Sequence, residues 1–213
     1  MKYSPLILII AILFPTLLFG EEGKEDTCTY RTYKWNVNLK KAVEYRTVRH
    51  SYSELREDEI DNATGCTVCE EDQKWIDIYP LDQFRICNKI AGPVREALSE
   101  IIRTGEPIYD IAGYRVGMTR GEIDKDGNRT QFSNHSFGIA FDINSEQNGL
   151  YDHCVEFGPH CRLMRGGHWI PEKPGSLTLD SVTVNILKSA GFSWGGEIKG
   201  KQKDFMHFSP SGY

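Results

Sequence analysis

Two short segments carry the residue types that do chemistry. One is Ser133-Asn-His135-Ser-Phe-Gly138-Ile-Ala140-Phe-Asp142; the other, after Trp194-Gly-Gly196, is Asp204-Phe-Met-His207-Phe208. Two histidines and one carboxylate are a common protein contribution to a catalytic zinc site, with a fourth position open for water. His135 can ligate from the loop before a strand, Asp142 from the end of that strand, and His207 from a neighbouring strand. Asp204 can then lean over the metal-bound water without ligating. Zinc brings the pKa of such water to about 7, and a nearby carboxylate can take its proton as hydroxide attacks a carbonyl. The small Gly138 and Ala140 leave room for close approach of backbone or substrate. Each His or Asp taken alone is a surface or hydrogen-bonding residue by default; the combination is what is specific.

The pair Ser-x-His-x-x-Gly-x-Ala-x-Asp and Asp-x-x-His-Phe resembles the zinc D-Ala-D-Ala carboxypeptidase / L-alanyl-D-glutamate endopeptidase family of cell-wall metallopeptidases. That family shares its metal-site architecture with lysostaphin-type peptidases and the hedgehog signalling domain. The resemblance covers about residues 80–210, including Trp194-Gly-Gly196. It implies Zn2+ held by His135, Asp142 and His207, a catalytic base at Asp204, and peptidoglycan stem peptides as substrate. The carboxypeptidase branch usually carries Glu at the base position and the endopeptidase branch often Asp, so Asp204 tilts the choice toward an endopeptidase. Gly113-Tyr114-Arg115 matches the family's Gly-Tyr-Arg context. A cation facing the zinc there would stabilise a developing oxyanion; the alternative is a strand arginine paired with a surface acid. Ser133, Tyr114 and Trp194 are expected to bind substrate, and Ser133 is not a nucleophile, because zinc already supplies the hydroxide. A non-catalytic metal-binding cell-wall or signalling module is the alternative of another class. Its mark would be a lost ligand or base, and here every expected position is filled.

The elements that must position these groups read as an α+β domain with a mainly antiparallel sheet and packed helices, hedgehog/D,D-peptidase-like by the resemblance. Tyr30–Trp35, Ala42–His50 and Trp75–Tyr79 have strand composition. Ser53–Thr67 reads as loop with a short helical turn. An apolar stripe from Leu81 to Ile102 predicts a helix over 82–103, stopped by Gly105, with Pro93 as a local conflict. Ile108–Val116 and Gly138–Ile143 read as strands, with 117–130 a polar loop between them. Residues 144–178 read as mostly irregular, and loops this long are usually functional. There His168 and Trp169 are candidates to line a cleft, and Asn144 and Asn148 to hold the loop or a substrate backbone. Leu179–Ala190 reads as a helix, and a last strand is expected near Phe205–Phe208.

Composition bounds the rest. At 213 residues with 39% hydrophobic side chains, the chain buries a core and is not disordered. A net charge of −5 and a pI near 5.7 argue against a general nucleic-acid binder. Lys2, the apolar run Leu6–Phe19 and Gly20 before an acidic segment read as a secretory signal over 1–20. The run is shorter than the roughly 20 residues of a spanning helix, and an uncleaved N-terminal anchor is the alternative. The division expected is a signal over 1–20, an N-terminal extension of unassigned role over 21–80 and a peptidase domain over 81–213. The product would be a secreted or periplasmic monomer without a stable membrane span.

All six cysteines follow the signal, and an even count in an oxidising compartment reads as disulfides. Cys154 and Cys161 are expected to pair and close their loop, against a second zinc held with His153 and His160. Cys28, Cys66, Cys69 and Cys87 leave three pairings, one bridge being expected to tie the N-terminal segment to the helix at Cys87. Cys66-x-x-Cys69 lacks the setting of a redox pair and reads as structural. The sequons at Asn62, Asn128 and Asn134 are read as unmodified, since a glycan on Asn134 would obstruct the metal.

Overall fold

The computed structural model describes residues 26–212; the expected signal segment lies outside the described residues. In chain order the strands and helices are β1 (Thr27–Asn36), β2 (Lys41–Ser51), β3 (Gln73–Ile76), β4 (Phe84–Cys87), α1 (Ala91–Thr104), β5 (Ile111–Ala112), β6 (Met118–Ile123), β7 (Arg129–Phe132), β8 (Phe141–Ile143), β9 (Leu150–Asp152), β10 (Arg162–Arg165), α2 (Val182–Ser189), β11 (Ser193–Trp194), β12 (Gln202–Asp204) and β13 (His207–Ser209). They form four small sheets, ordered β2-β1-β6-β7, β10-β9-β12, β11-β13-β8-β5 and β3-β4. Every pairing is antiparallel except the contact of β1 with β6 at Lys34 and Met118. The α+β class is therefore as expected. Among the described residues no helix is long and apolar enough to cross a membrane.

The main core lies between the helices and the β11-β13-β8-β5 sheet. Val94, Leu98 and Ile101 of α1 and Val184 and Leu187 of α2 pack with Phe141, Ile143, Phe192 and Phe208. Full burial of each such side chain contributes about 1.5–3 kcal/mol. A second cluster, with Tyr30, Val68, Met118 and Phe132, fills the space beneath the N-terminal hairpin.

Several expected elements are placed differently. The helix predicted over 82–103 begins only at Ala91, because Phe84 and Ile86 alternate into the core on β4, which pairs with β3. A short apolar run satisfies both periods, and strand pairing decided it. Pro93 then falls in the first helical turn, where no N–H partner is lost. Gly105 ends α1 at φ 80°. The expected loop over 117–130 is the hairpin β6–β7, its turn closed by Asp124 Oδ1 accepting from the Asp126 and Asn128 amides at 3.0 and 2.8 Å. Register shifts in that hairpin break the alternation that would have announced two strands. Within the strand expected over 108–116 only Ile111–Ala112 is paired, and the last expected strand is two, β12 and β13, separated by Phe205 and Met206.

The disulfides are Cys28–Cys69, Cys66–Cys87 and Cys154–Cys161. The loop bridge is as expected. Cys87 does join the N-terminal segment, but from strand β4 and not from a helix. Cys66 and Cys69 have separate partners, so they are not a redox pair. Residue 80 is crossed by the Cys66–Cys87 bridge, by the β3–β4 pairing and by the β1–β6 contact.

Candidate metal and catalytic site

Antiparallel register brings the site together. His207 on β13 lies directly opposite Asp142 on β8, and Asp142 lies opposite Ala112 on the other side. His135 arrives on the single 3-10 turn Asn134–Phe137, which ends at Gly138 with φ 64°. A Cβ at Gly138 would come within 1.9 Å of Gln73 Oε1 and 2.7 Å of the Cys87 amide nitrogen, so only glycine fits. Asn134 pins the turn from the other side, donating from Nδ2 to the Gly212 carbonyl at 2.9 Å and accepting from Arg120 at 2.9 Å.

His135 Nε2 lies 3.1 Å and His207 Nδ1 3.3 Å from Asp142 Oδ1, and the three ligand atoms are all within 4.8 Å of one another. Tetrahedral zinc with bonds near 2.1 Å would separate its ligands by roughly 3.4 Å. His135 Nδ1 lies 3.1 Å from the Gly113 carbonyl, a bond of the kind that fixes the tautomer of a ligating imidazole. Burial pushes the His135 imidazole down to about 4, so at neutral pH it is the neutral form a metal requires. Burial alone would raise the Asp142 carboxyl. The neighbouring His135 and Arg115, with hydrogen bonds from both histidines, hold it well below the usual carboxylate range.

Asp204 ends β12 beside this triad and is 7% exposed. Its Oδ1 is buried without a hydrogen-bond partner, an unsatisfied atom that a metal and its water would engage. The burial pushes its carboxyl up to about 7. Gly195 makes room for it, since a Cβ there would lie 2.2 Å from the Asp204 carbonyl oxygen. Arg115 reaches in with Nη2 donating to Asp142 Oδ2 at 2.5 Å and Nη1 donating to the Gly113 carbonyl at 3.1 Å; with Nδ1 of His135 protonated, the 2.8 Å approach of Nη1 to it is a close contact and not a hydrogen bond. The donor set, its spacing and the orphaned carboxylate fit a divalent zinc ion.

The remaining expected site residues are placed as follows. Tyr114 turns its hydroxyl away, donating to the Val68 carbonyl at 2.7 Å, and its ring stacks under Arg85. Ser133 caps the His135 turn, its hydroxyl 3.3 Å from that of Ser136. Trp194 is buried and donates its indole N–H to the Phe205 carbonyl at 2.7 Å, bracing the segment between Asp204 and His207. Trp169 stacks on Phe205 with centroids 3.9 Å apart. Asn144 and Asn148 both bond loop backbone, through the Gly175 carbonyl. His168 is exposed. Sequence reasoning passed over Arg31, Arg46 and Arg85, which line a groove with Tyr114 and Arg115. Their one signal was arginine beside tyrosine on both strands of the first hairpin.

Residues 126–210 match the model of the D-alanyl-D-alanine carboxypeptidase family. That segment is similar to the family and makes up less than half of the chain. It contains His135, Asp142, Asp204 and His207, whereas Arg115 lies before it. No curated protein and no solved structure matches the chain.

Proposed function

We propose that this chain is an exported zinc metallopeptidase that hydrolyses a peptide bond in peptidoglycan stem peptides. The observation that carries the reading is the buried His135–Asp142–His207 cluster beside the buried, unpartnered Oδ1 of Asp204, all within the segment that matches the family. His135, Asp142 and His207 would hold the zinc, with residues 81–213 as the peptidase domain. When bound, zinc supplies Lewis acidity, polarising a carbonyl and acidifying water. Asp204 takes the proton from the attacking water and returns it to the leaving amine, a role suited to a carboxyl near 7. Arg115, between the groove and the cluster, presents its guanidinium to the carbonyl oxygen as charge develops there. His135 and Asp142 are held by the Gly113 carbonyl and by strand pairing, so the site is preorganised before substrate arrives.

Asp at the base position supports an L-alanyl-D-glutamate-type endopeptidase over a D-Ala-D-Ala carboxypeptidase. The test uses the purified chain lacking residues 1–20, with zinc measured by elemental analysis and muropeptide products by mass spectrometry. One zinc per chain is expected, with cleavage that disappears in Asp204→Ala. Stoichiometric zinc without cleavage by the parent chain would sink the enzymatic reading in favour of a metal-binding module. The product masses separate loss of a terminal alanine from cleavage between the first two stem residues.

A further inference from the structure

The groove beside Arg115 has a volume of about 740 Å³ and is walled on one side by the N-terminal hairpin. Arg31, Thr32 and Tyr33 of β1 and Tyr45, Arg46 and Thr47 of β2 contribute, and Arg85 and Tyr114 complete it. In the hairpin's register Arg31 lies opposite Thr47 and Arg46 opposite Thr32, so the two arginines stand on adjacent rungs of the ribbon. Four arginines and a single acid, Glu70, line this space in a chain whose net charge is −5. Glu70 is already spoken for by Arg85, at 3.6 Å. Arg85 is further held over the rings of Trp75 and Tyr114, at 5.4 and 4.9 Å. Among the described residues, Arg31 and Arg46 have no acidic partner, and both are exposed. A concentrated positive field in a cleft on an acidic protein selects negatively charged ligands, and guanidinium groups favour carboxylates through paired N–H donors.

We infer that the groove between the N-terminal hairpin and Arg115 binds the free carboxylates of an acidic peptide and leads its scissile bond to the His135–Asp142–His207 cluster. This gives residues 27–51 a role in substrate selection, as a wall of the binding site. The inference rests on the peptidase reading for its substrate, but its charge selectivity is measurable apart from turnover.

The experiment compares two peptides on the zinc-loaded chain: one containing L-alanyl-γ-D-glutamate with its free carboxylate, and the same peptide amidated at that carboxylate. Cleavage is followed by mass spectrometry in the parent chain, in Arg31→Ala/Arg46→Ala and in Arg46→Lys. Binding is followed by calorimetry in an Asp204→Asn background, where peptide is not consumed. The expected result is that the parent prefers the acid peptide by about tenfold or more, that the double variant brings the ratio near one, and that Arg46→Lys, which keeps the charge but not the paired donors, retains only part of it. Zinc content and circular dichroism confirm that the double variant is folded. Equal handling of the two peptides by the parent, or a preference that survives in the double variant, would overturn the inference. If neither peptide is cleaved, the peptidase reading fails, while calorimetric preference for the acid peptide, lost in the double variant, still upholds the groove as a carboxylate site. No binding of either peptide would overturn both.

Discussion

Replacing Asp204 by asparagine separates the two consequences of burying a carboxyl beside the metal cluster. In the metal-free protein that carboxyl titrates near 7 and not at its ordinary 3.8, so the folded chain holds the proton more tightly than the unfolded chain. The resulting stabilisation is complete below the unfolded value and is lost as pH rises through the folded one. Three pH units correspond to at most about 4 kcal/mol. Asparagine keeps the shape and never ionises. The metal-free Asp204→Asn chain is therefore expected to match the parent at about pH 4 and to exceed it at about pH 8 by up to that amount. Urea unfolding followed by circular dichroism with a chelator present, at several pH values, measures this difference. Zinc added to the parent at the higher pH should recover stability, because the ion binds only the folded site and its charge favours the carboxylate. Turnover by the variant should fall by about 10²–10⁴ with zinc retained. A stability difference that does not change between the two pH values would refute the burial argument, and a variant that keeps its turnover would remove Asp204 as the base.

Three further outcomes follow from other contacts. Asp142→Ala should abolish stoichiometric zinc, because Asp142 Oδ1 is the atom both histidines converge on, and elemental analysis reads this directly. Glu59 is fully buried and receives the Tyr30 hydroxyl, His50 at 3.3 Å and Arg56 at 3.1 Å. Glu59→Ala strands those partners and should cost about 3 kcal/mol in denaturant unfolding. Gly195→Ala places a methyl against the Asp204 carbonyl, and should lower turnover more than zinc affinity, as parallel kinetics and metal titration would reveal.

The site was more legible than the fold around it. His135, Asp142, Asp204 and His207 are spaced by strand geometry over short distances, and the β8–β13 register then forces the two distant segments together. Trp194 illustrates what a motif leaves out: its place beside the site was visible, but its buried indole serves the Phe205 backbone. The start of α1 was hidden because Phe84 and Ile86 satisfy a helical stripe and a strand alternation equally well, and only the partner strand β3 distinguishes them. The hairpin β6–β7 was hidden because glycine and charged residues dominate a ribbon whose register slips. The groove arginines were hidden for a different reason. Arg31 and Arg46 lie far from the motif in sequence and meet it because β1 docks on β6, while Arg85 arrives on β4, where its carbonyl accepts from the Tyr114 amide.

The order in which the chain is made gives that docking a temporal meaning. The hairpin that walls the groove is synthesised before His135 and Asp142, and the strands bearing Asp204 and His207 later still. A partly synthesised chain therefore has the groove's hairpin wall, His135 and Asp142 but neither Asp204 nor His207. Chemistry becomes possible only after β13 slots in beside β8. On the peptidase reading, the site is therefore complete only as folding ends.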